Sequence, residues 1–167
     1  MDRKTYMIIG AGIAAILAAF LIRKILTPKE VKEEPKVEIK LVESYSDFFT
    51  VNGCASKYIN YLTSEDKDSL IKVLNENYAN QKNITKENIL TKLDNFAGRS
   101  LTYSATKMYE EKVSDTIKKY YLKGNLNEDT IDSITKVGEY YLIVTIDSSS
   151  RLFDITPYDG EMFKEES

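Results

Sequence analysis

Residues 89–106 read ILTKLDNFAGRSLTYSAT, and the period of the chain changes inside them. Before Gly98, the apolar residues Ile89, Leu90, Leu93 and Phe96 recur at the spacing of one helical face. After it, Leu101, Tyr103 and Ala105 alternate with Thr102, Ser104 and Thr106, the spacing of a half-buried strand. Gly98 is a natural helix stop, and Asn83 or Thr85 opens the helix it ends. Helices on one side of a point and strands on the other describe an α+β layout.

Working outward supports that layout. Asp47 caps a helix whose buried side is Phe48, Val51, Ala55, Tyr58, Ile59 and Leu62, with Gly53 weakening it slightly. A second helix fits Asp66–Tyr78, with Leu70, Ile71, Val73, Leu74 and Tyr78 apolar and Glu65, Asp66 and Asp68 favourable at its start. Downstream, Ile117–Leu122 alternates, and Tyr140–Ile146 is a β-branched and aromatic run. Residues 147–150, DSSS, make a hairpin turn. Leu152–Thr156 returns as the last strand, and Pro157 ends it or places it at an edge. Asn125–Val137 reads as a connection with room for one short helical turn. The expectation is three helices packed on a curved antiparallel sheet of about four strands.

The first residues are of another kind. Thr5–Ile22, TYMIIGAGIAAILAAFLI, holds no charge in 18 positions. At 1.5 Å per residue, a helix of that length covers about 27 Å, close to the hydrocarbon thickness of a bilayer. Arg23 and Lys24 can snorkel and let Ile25 and Leu26 extend the span. The run is longer than a signal-peptide core, and no small-x-small cleavage site follows it, which favours an uncleaved anchor. Gly10, Ala14 and Ala18 form a row of small residues that lets two membrane helices approach closely. The same row also fits a plain Ala-rich span. Basic residues flank both sides: Arg3 and Lys4 before, Arg23, Lys24, Lys29 and Lys32 after. Counting them favours a cytoplasmic C-terminal side, whereas the short basic first flank favours a cytoplasmic N-terminus. The reading adopted is N-terminus inside and body outside.

Residues 1–26 are thus read as anchor, 27–39 as a charged spacer containing Pro28 and Pro35, and 40–167 as a folded body. Anchor and body differ in charge. Asp2 against Arg3, Lys4, Arg23 and Lys24 gives the anchor +3, which leaves −6 of the total −3 for the rest. A net-acidic body is a poor partner for a phosphate backbone, so nucleic acid is not expected. The chain has no His and one Cys, which removes Ser-His-Asp and Cys-His chemistry, an intrachain disulfide and Cys-based zinc clusters.

Two stretches carry a resemblance. FFTVNGCASKYINYL (48–62) followed by SEDKDSLIKVLNENY (64–78) resembles the opening of the NTF2-like (cystatin-like) superfamily: a long amphipathic helix, an acidic break, then a short helix ending in Tyr. An anchor before such a body is similar in layout to certain conjugation-channel components, although their Asn-Pro loop motif is absent here. The resemblance implies a cone-shaped pocket between sheet and helices, for which Tyr103, Tyr121 and Tyr140 are the candidate lining residues. It also implies that some members are enzymes. Their dehydratases use His, which this chain lacks, and their isomerases pair an Asp base with Tyr and a protonated Asp. Asp147 and Asp154 lie on expected strands, but no motif joins them to the tyrosines, so no catalytic role is carried across.

Other signals are weaker. Gly10-x-Gly12 sits inside the apolar run without a preceding strand, and Asp66-x-Asp68 lacks the rest of a calcium loop. Glu110-Glu111 and Glu128-Asp129 read as solvated turns, and Cys54 as a buried, inert thiol. Asn83-Ile84-Thr85 matches a glycosylation sequon. No catalytic residue, cofactor or metal is expected. The expected partners are membrane lipid and either another protein or a second copy, with the body acting as a binding or assembly module of a bacterial cell envelope. A pocket for a small molecule or lipid is the alternative, and an isomerase-type enzyme stands behind it.

Overall fold

The computed structural model describes residues 38–166. The anchor and nearly all of the spacer therefore lie outside the described residues, as do Gly10, Ala14 and Ala18. Among the described residues, no helix is long and apolar enough to cross a membrane.

The body is α+β. Strand β1 (Ile39–Leu41) leads into four helices, α1 (Tyr45–Thr63), α2 (Lys67–Val73), α3 (Glu76–Gln81) and α4 (Ile89–Lys92). Strands β2 (Leu101–Lys112), β3 (Ile117–Asp129), β4 (Ile134–Asp147) and β5 (Leu152–Pro157) follow, and a 3-10 helix (Glu161–Glu166) ends the fold. All five strands form one antiparallel sheet in chain order. Alternation along the strands sets the faces. Leu101, Tyr103, Met108, Tyr120, Leu122, Leu126, Leu142, Val144 and Ile155 are buried beneath the helices. Val51, Ala55, Tyr58, Ile59 and Leu62 of α1 close that core from above, on the face the helical spacing predicts.

Several sequence expectations are corrected. The cap of α1 is Ser44, whose hydroxyl accepts from the Asp47 amide over 3.3 Å. Asp47 falls three residues inside, where its charge favours the helix N-terminus. The single helix expected over 66–78 is two. Leu74 forms a parallel bridge with Ile155, and the Asn75 amide donates to the Ile155 carbonyl over 2.8 Å. Asn75 then caps α3 by accepting from the Tyr78 amide. Tertiary pairing here overrides an unbroken helical pattern. The third helix shrinks to Ile89–Lys92, and Asn83 takes a left-handed φ of 51° instead of opening it. Gly98 (φ 70°) is a turn residue, its amide donating to the Thr63 carbonyl over 3.2 Å.

The sheet is larger than expected. Residues 125–137, read as a connection, are mostly strand, with only residues 130–133 between β3 and β4. Ile39–Leu41, split between spacer and body, form an edge strand. Bulges interrupt β2 at Thr106, between Ala105 and Lys107, and β4 at Val137, opposite Leu126 and Asn127 of β3. Such bulges bend strands and increase their twist.

The helical layer is stitched to both sides of the sheet. On β2, Asn52 Oδ1 accepts from the Ala105 amide over 2.7 Å, and Ser56 Oγ donates to the Tyr103 carbonyl over 3.2 Å. On β5, the α2–α3 junction occupies Ile155 through Leu74 and Asn75. These bonds satisfy backbone groups that an edge strand otherwise leaves open. Only β1 has no neighbour on its outer side among the described residues.

Candidate functional site

Two of the three tyrosines singled out from the sequence, Tyr103 and Tyr140, lie on the sheet face beneath the helices. Tyr103 rises from the core face of β2, and its ring lies over Gly124 of β3. A β-carbon at Gly124 would stand 2.3 Å from the Tyr103 ring, so the glycine makes room for it. Tyr140, on β4, packs edge-on against Phe96 with ring centroids 5.6 Å apart. Its hydroxyl donates to Asp94 Oδ2 over 2.6 Å. Tyr58 of α1 completes the group, fully buried and electrostatically coupled to Tyr140. The hydroxyls of Tyr58 and Tyr103 lack an aligned hydrogen-bond partner.

Burial is the first cause of the high pKa values of Tyr58, Tyr103 and Tyr140, with mutual coupling and the Asp94 carboxylate adding to that of Tyr140. These phenols stay protonated at neutral pH. They can donate hydrogen bonds to an oxygen that carries negative charge, but they cannot serve as bases. Asp94 is exposed at the edge of the group. Tyr58 and Asp94 were not legible as site residues: Tyr58 looks like one more apolar position of α1, and Asp94 lies in an irregular loop.

Tyr121 belongs to the opposite face of the sheet. Its neighbours Tyr120 and Leu122 point into the core, so the alternation turns Tyr121 outward. Its hydroxyl donates to Glu111 Oε2 over 2.6 Å, and its ring meets Tyr158 edge-on at 5.9 Å. Tyr103 and Tyr140 lie on the core face of the sheet and Tyr121 on the other, so the three do not line one site. The outer face has its own aromatic cluster. Phe163 of the C-terminal strap is buried between Tyr109 and Tyr141, with both centroids 5.7 Å away. Gly160, with φ 75°, brings the strap close to the Tyr141 ring. Beside it, Tyr141 and Lys123 donate to Glu139 over 2.9 and 3.1 Å and hold its carboxyl down to about 2.

The carboxylates have structural partners. Asp147 accepts from the Ser149 amide and from the Ser149 and Ser150 hydroxyls, which keeps its pKa below the usual range. That is opposite to the raised pKa of a general base. Asp154 shares the outer face with Thr145, its pairing partner, and its Oδ1 is buried without a hydrogen bond. Asp66 caps α2, while Asp68 pairs with Lys86. Glu110, Glu111 and Glu128 lie on strands rather than turns and pair with Lys118, Lys119 and Arg99. No group of three or more potential metal ligands occurs among the described residues. Cys54 is half-buried and free, and burial raises its pKa, which disfavours the reactive thiolate.

An exposed aromatic pair lies at the start of α1. Tyr45 and Phe49 stack with centroids 6.4 Å apart while remaining 83% and 69% exposed. They share a flank of α1 with Asn52 and Ser56, three and seven residues beyond Phe49 in the helical repeat. Asn52 and Ser56 close the β2 edge; Tyr45 and Phe49 continue the row beside β1. A cleft of about 490 Å³ separates β1 from the first turn of α1, lined by Lys40, Leu41, Asp47 and Glu110 among others. No protein-family model matches the chain, and no curated protein matches it.

Proposed function

We propose that this chain is a single-pass membrane protein whose extracytoplasmic body is a non-catalytic protein-binding or assembly module of the cell envelope. The observation that carries the binding role is the stacked, exposed Tyr45–Phe49 pair beside an open edge strand. Aromatic side chains of this kind supply contact area to protein interfaces. The apolar, uncharged run of residues 5–22 supports the anchor. An NTF2-like architecture is the finer fold reading, supported by helices that precede four long, sequentially paired strands and cover one face of them.

Two measurements test the proposal. External protease on intact cells should remove the body; a body that is protected until lysis overturns the outward orientation. Purification of the full chain in mild detergent should recover a complex, and a Tyr45→Ser/Phe49→Ser variant should recover less of it. A chain that stays monomeric and alone in both preparations defeats the assembly role.

The buried hydroxyls of Tyr58 and Tyr103 favour a second reading, a site for a small molecule or lipid carrying an acceptor oxygen. Such a ligand should quench or shift tyrosine fluorescence in wild type and fail to do so in Tyr103→Phe.

A further inference from the structure

The open edge of β1 has a definite hydrogen-bonding polarity. Val42 donates to the Met108 carbonyl over 2.9 Å, continuing the register that sets Lys40 opposite Glu110. In an antiparallel ladder, backbone groups alternate from side to side. Those of Lys40 therefore point toward β2, and those of Ile39 and Leu41 point outward. Among the described residues they meet no partner.

An incoming antiparallel strand must place its own outward-pointing residues opposite Ile39 and Leu41. If that strand is β1 of a second copy, three registers centre on it; the one with Leu41 opposite Leu41 puts Lys40 against Val42 and gains no charge pair, which leaves two. One sets Ile39 against Leu41 and brings the two Lys40 side chains together, which is repulsive. The other sets Ile39 against Ile39 and places Glu38 of each copy opposite Lys40 of the other. Within one copy these two already form an ion pair, Lys40 Nζ to Glu38 Oε1 at 3.1 Å, with both side chains largely exposed. The short sequence Glu38-Ile39-Lys40 is its own charge complement when read in reverse.

The helical layer fits the same arrangement. Joining two β1 strands puts the two β2 strands three spacings apart, about 14 Å at about 4.8 Å each. Helix α1 follows the β2 edge in each copy through Asn52 and Ser56. Helices in direct contact lie about 8–10 Å apart. The remaining gap is one that large side chains fill, and Tyr45 and Phe49 project from the flank of α1 that faces it.

From this geometry we propose that two copies of the chain join edge to edge through β1, with Ile39 opposite Ile39 and each Glu38 opposite the other copy's Lys40. The two sheets then become one continuous sheet, and the Tyr45–Phe49 stacks meet above the seam. The inference rests on the assembly reading and names its partner, but it does not depend on the membrane anchor, because Glu38, Ile39 and Lys40 lie outside the apolar run of residues 5–22.

The test uses full-length protein in detergent with Cys54→Ala as background. Hydrogen-bonded antiparallel partners have Cα atoms about 5.5 Å apart, within disulfide reach. Ile39→Cys should therefore give a disulfide-linked dimer on mild oxidation, in clear excess over Ile131→Cys on the β3–β4 turn. Glu38→Lys or Lys40→Glu alone should weaken dimerisation about tenfold by replacing two attractive pairs with two repulsive ones. The double reversal should restore it. Sedimentation of the unmodified chain provides a readout that needs no cysteine. A monomer by mass, cross-linking at Ile39→Cys no stronger than at Ile131→Cys, or a dimer indifferent to the charge reversals each overturns the proposal. The last outcome would place dimerisation elsewhere than at this edge.

Discussion

Asn52 on α1 accepts a 2.7 Å hydrogen bond from the Ala105 amide on β2, so a side chain of the helical layer takes the place of a neighbouring strand. The bond sits next to the bulge between Ala105 and Lys107, where the ladder is irregular. Asn52→Leu keeps the volume but leaves a partly buried N–H without a partner. The expected cost is about 1–3 kcal/mol. Chemical denaturation measures it, and an unchanged midpoint would mean that water takes over the amide.

Gly124 and Tyr103 form a matched pair on adjacent strands. Gly124→Ala would push a methyl group into the Tyr103 ring, at a cost of about 1–3 kcal/mol for an overpacked core. Tyr103→Leu in the same chain should recover much of that loss. Equal stability of the single and double variants would show that the ring simply swings away.

Alkaline titration separates the buried phenols from the others. Tyr58, Tyr103, Tyr121 and Tyr140 all have raised folded-state pKa values, with burial the first cause in each. A group raised above its unfolded value contributes stability fully below the unfolded pKa, near 10 for Tyr, and loses it as pH rises further. Ultraviolet difference absorbance should show these four phenols ionising only when the chain unfolds. A single smooth titration of all of them would contradict the burial described.

The acid limb has the opposite sign. Glu139 falls from 4.5 to about 2, first because Tyr141 donates to it and then because Lys123 does. Its contribution is present above the unfolded value and is lost as pH falls from there toward the folded one. Glu139→Gln should flatten the stability profile between these limits and, above them, lower it by a constant amount without changing its slope. Thermal unfolding across that range is the measurement.

Phe163 is the buried aromatic of the strap that covers the outer face. Phe163→Ala should release the strap locally before the whole fold opens, because the strands beneath keep their own ladder. Limited proteolysis should cut within residues 158–164 much faster, while the melting temperature falls by only a few degrees, about 1 kcal/mol in a domain of this size. A global loss of about 3–5 kcal/mol, as for a central core Phe, would make the strap integral to the fold.

Periodicity made the α+β layout legible, because Val51, Ala55, Tyr58, Ile59 and Leu62 mark a helix face as plainly as Leu101 and Tyr103 mark a strand. What escaped was decided at a distance. The break at Leu74 depends on Ile155, which no local pattern reveals. Residues 125–129 are rich in Asn, Glu and Asp, poor strand formers, and their strand is imposed by pairing with β4. β1 has three residues inside a charged stretch, too few for any period to show. Within the candidate site, Tyr103 and Tyr140 could be found as strand tyrosines. Tyr121 was misplaced although its parity with Tyr120 and Leu122 was there to be read, and Tyr58 was hidden by fitting its apolar face too well.

The stopper that Leu74 and Asn75 place against Ile155 limits how such molecules can accumulate. A sheet with two free sides could recruit neighbours without end and grow into a fibre. Here the far side is interrupted at Ile155, so a pair joined through the near side would offer a third molecule only a broken edge to extend.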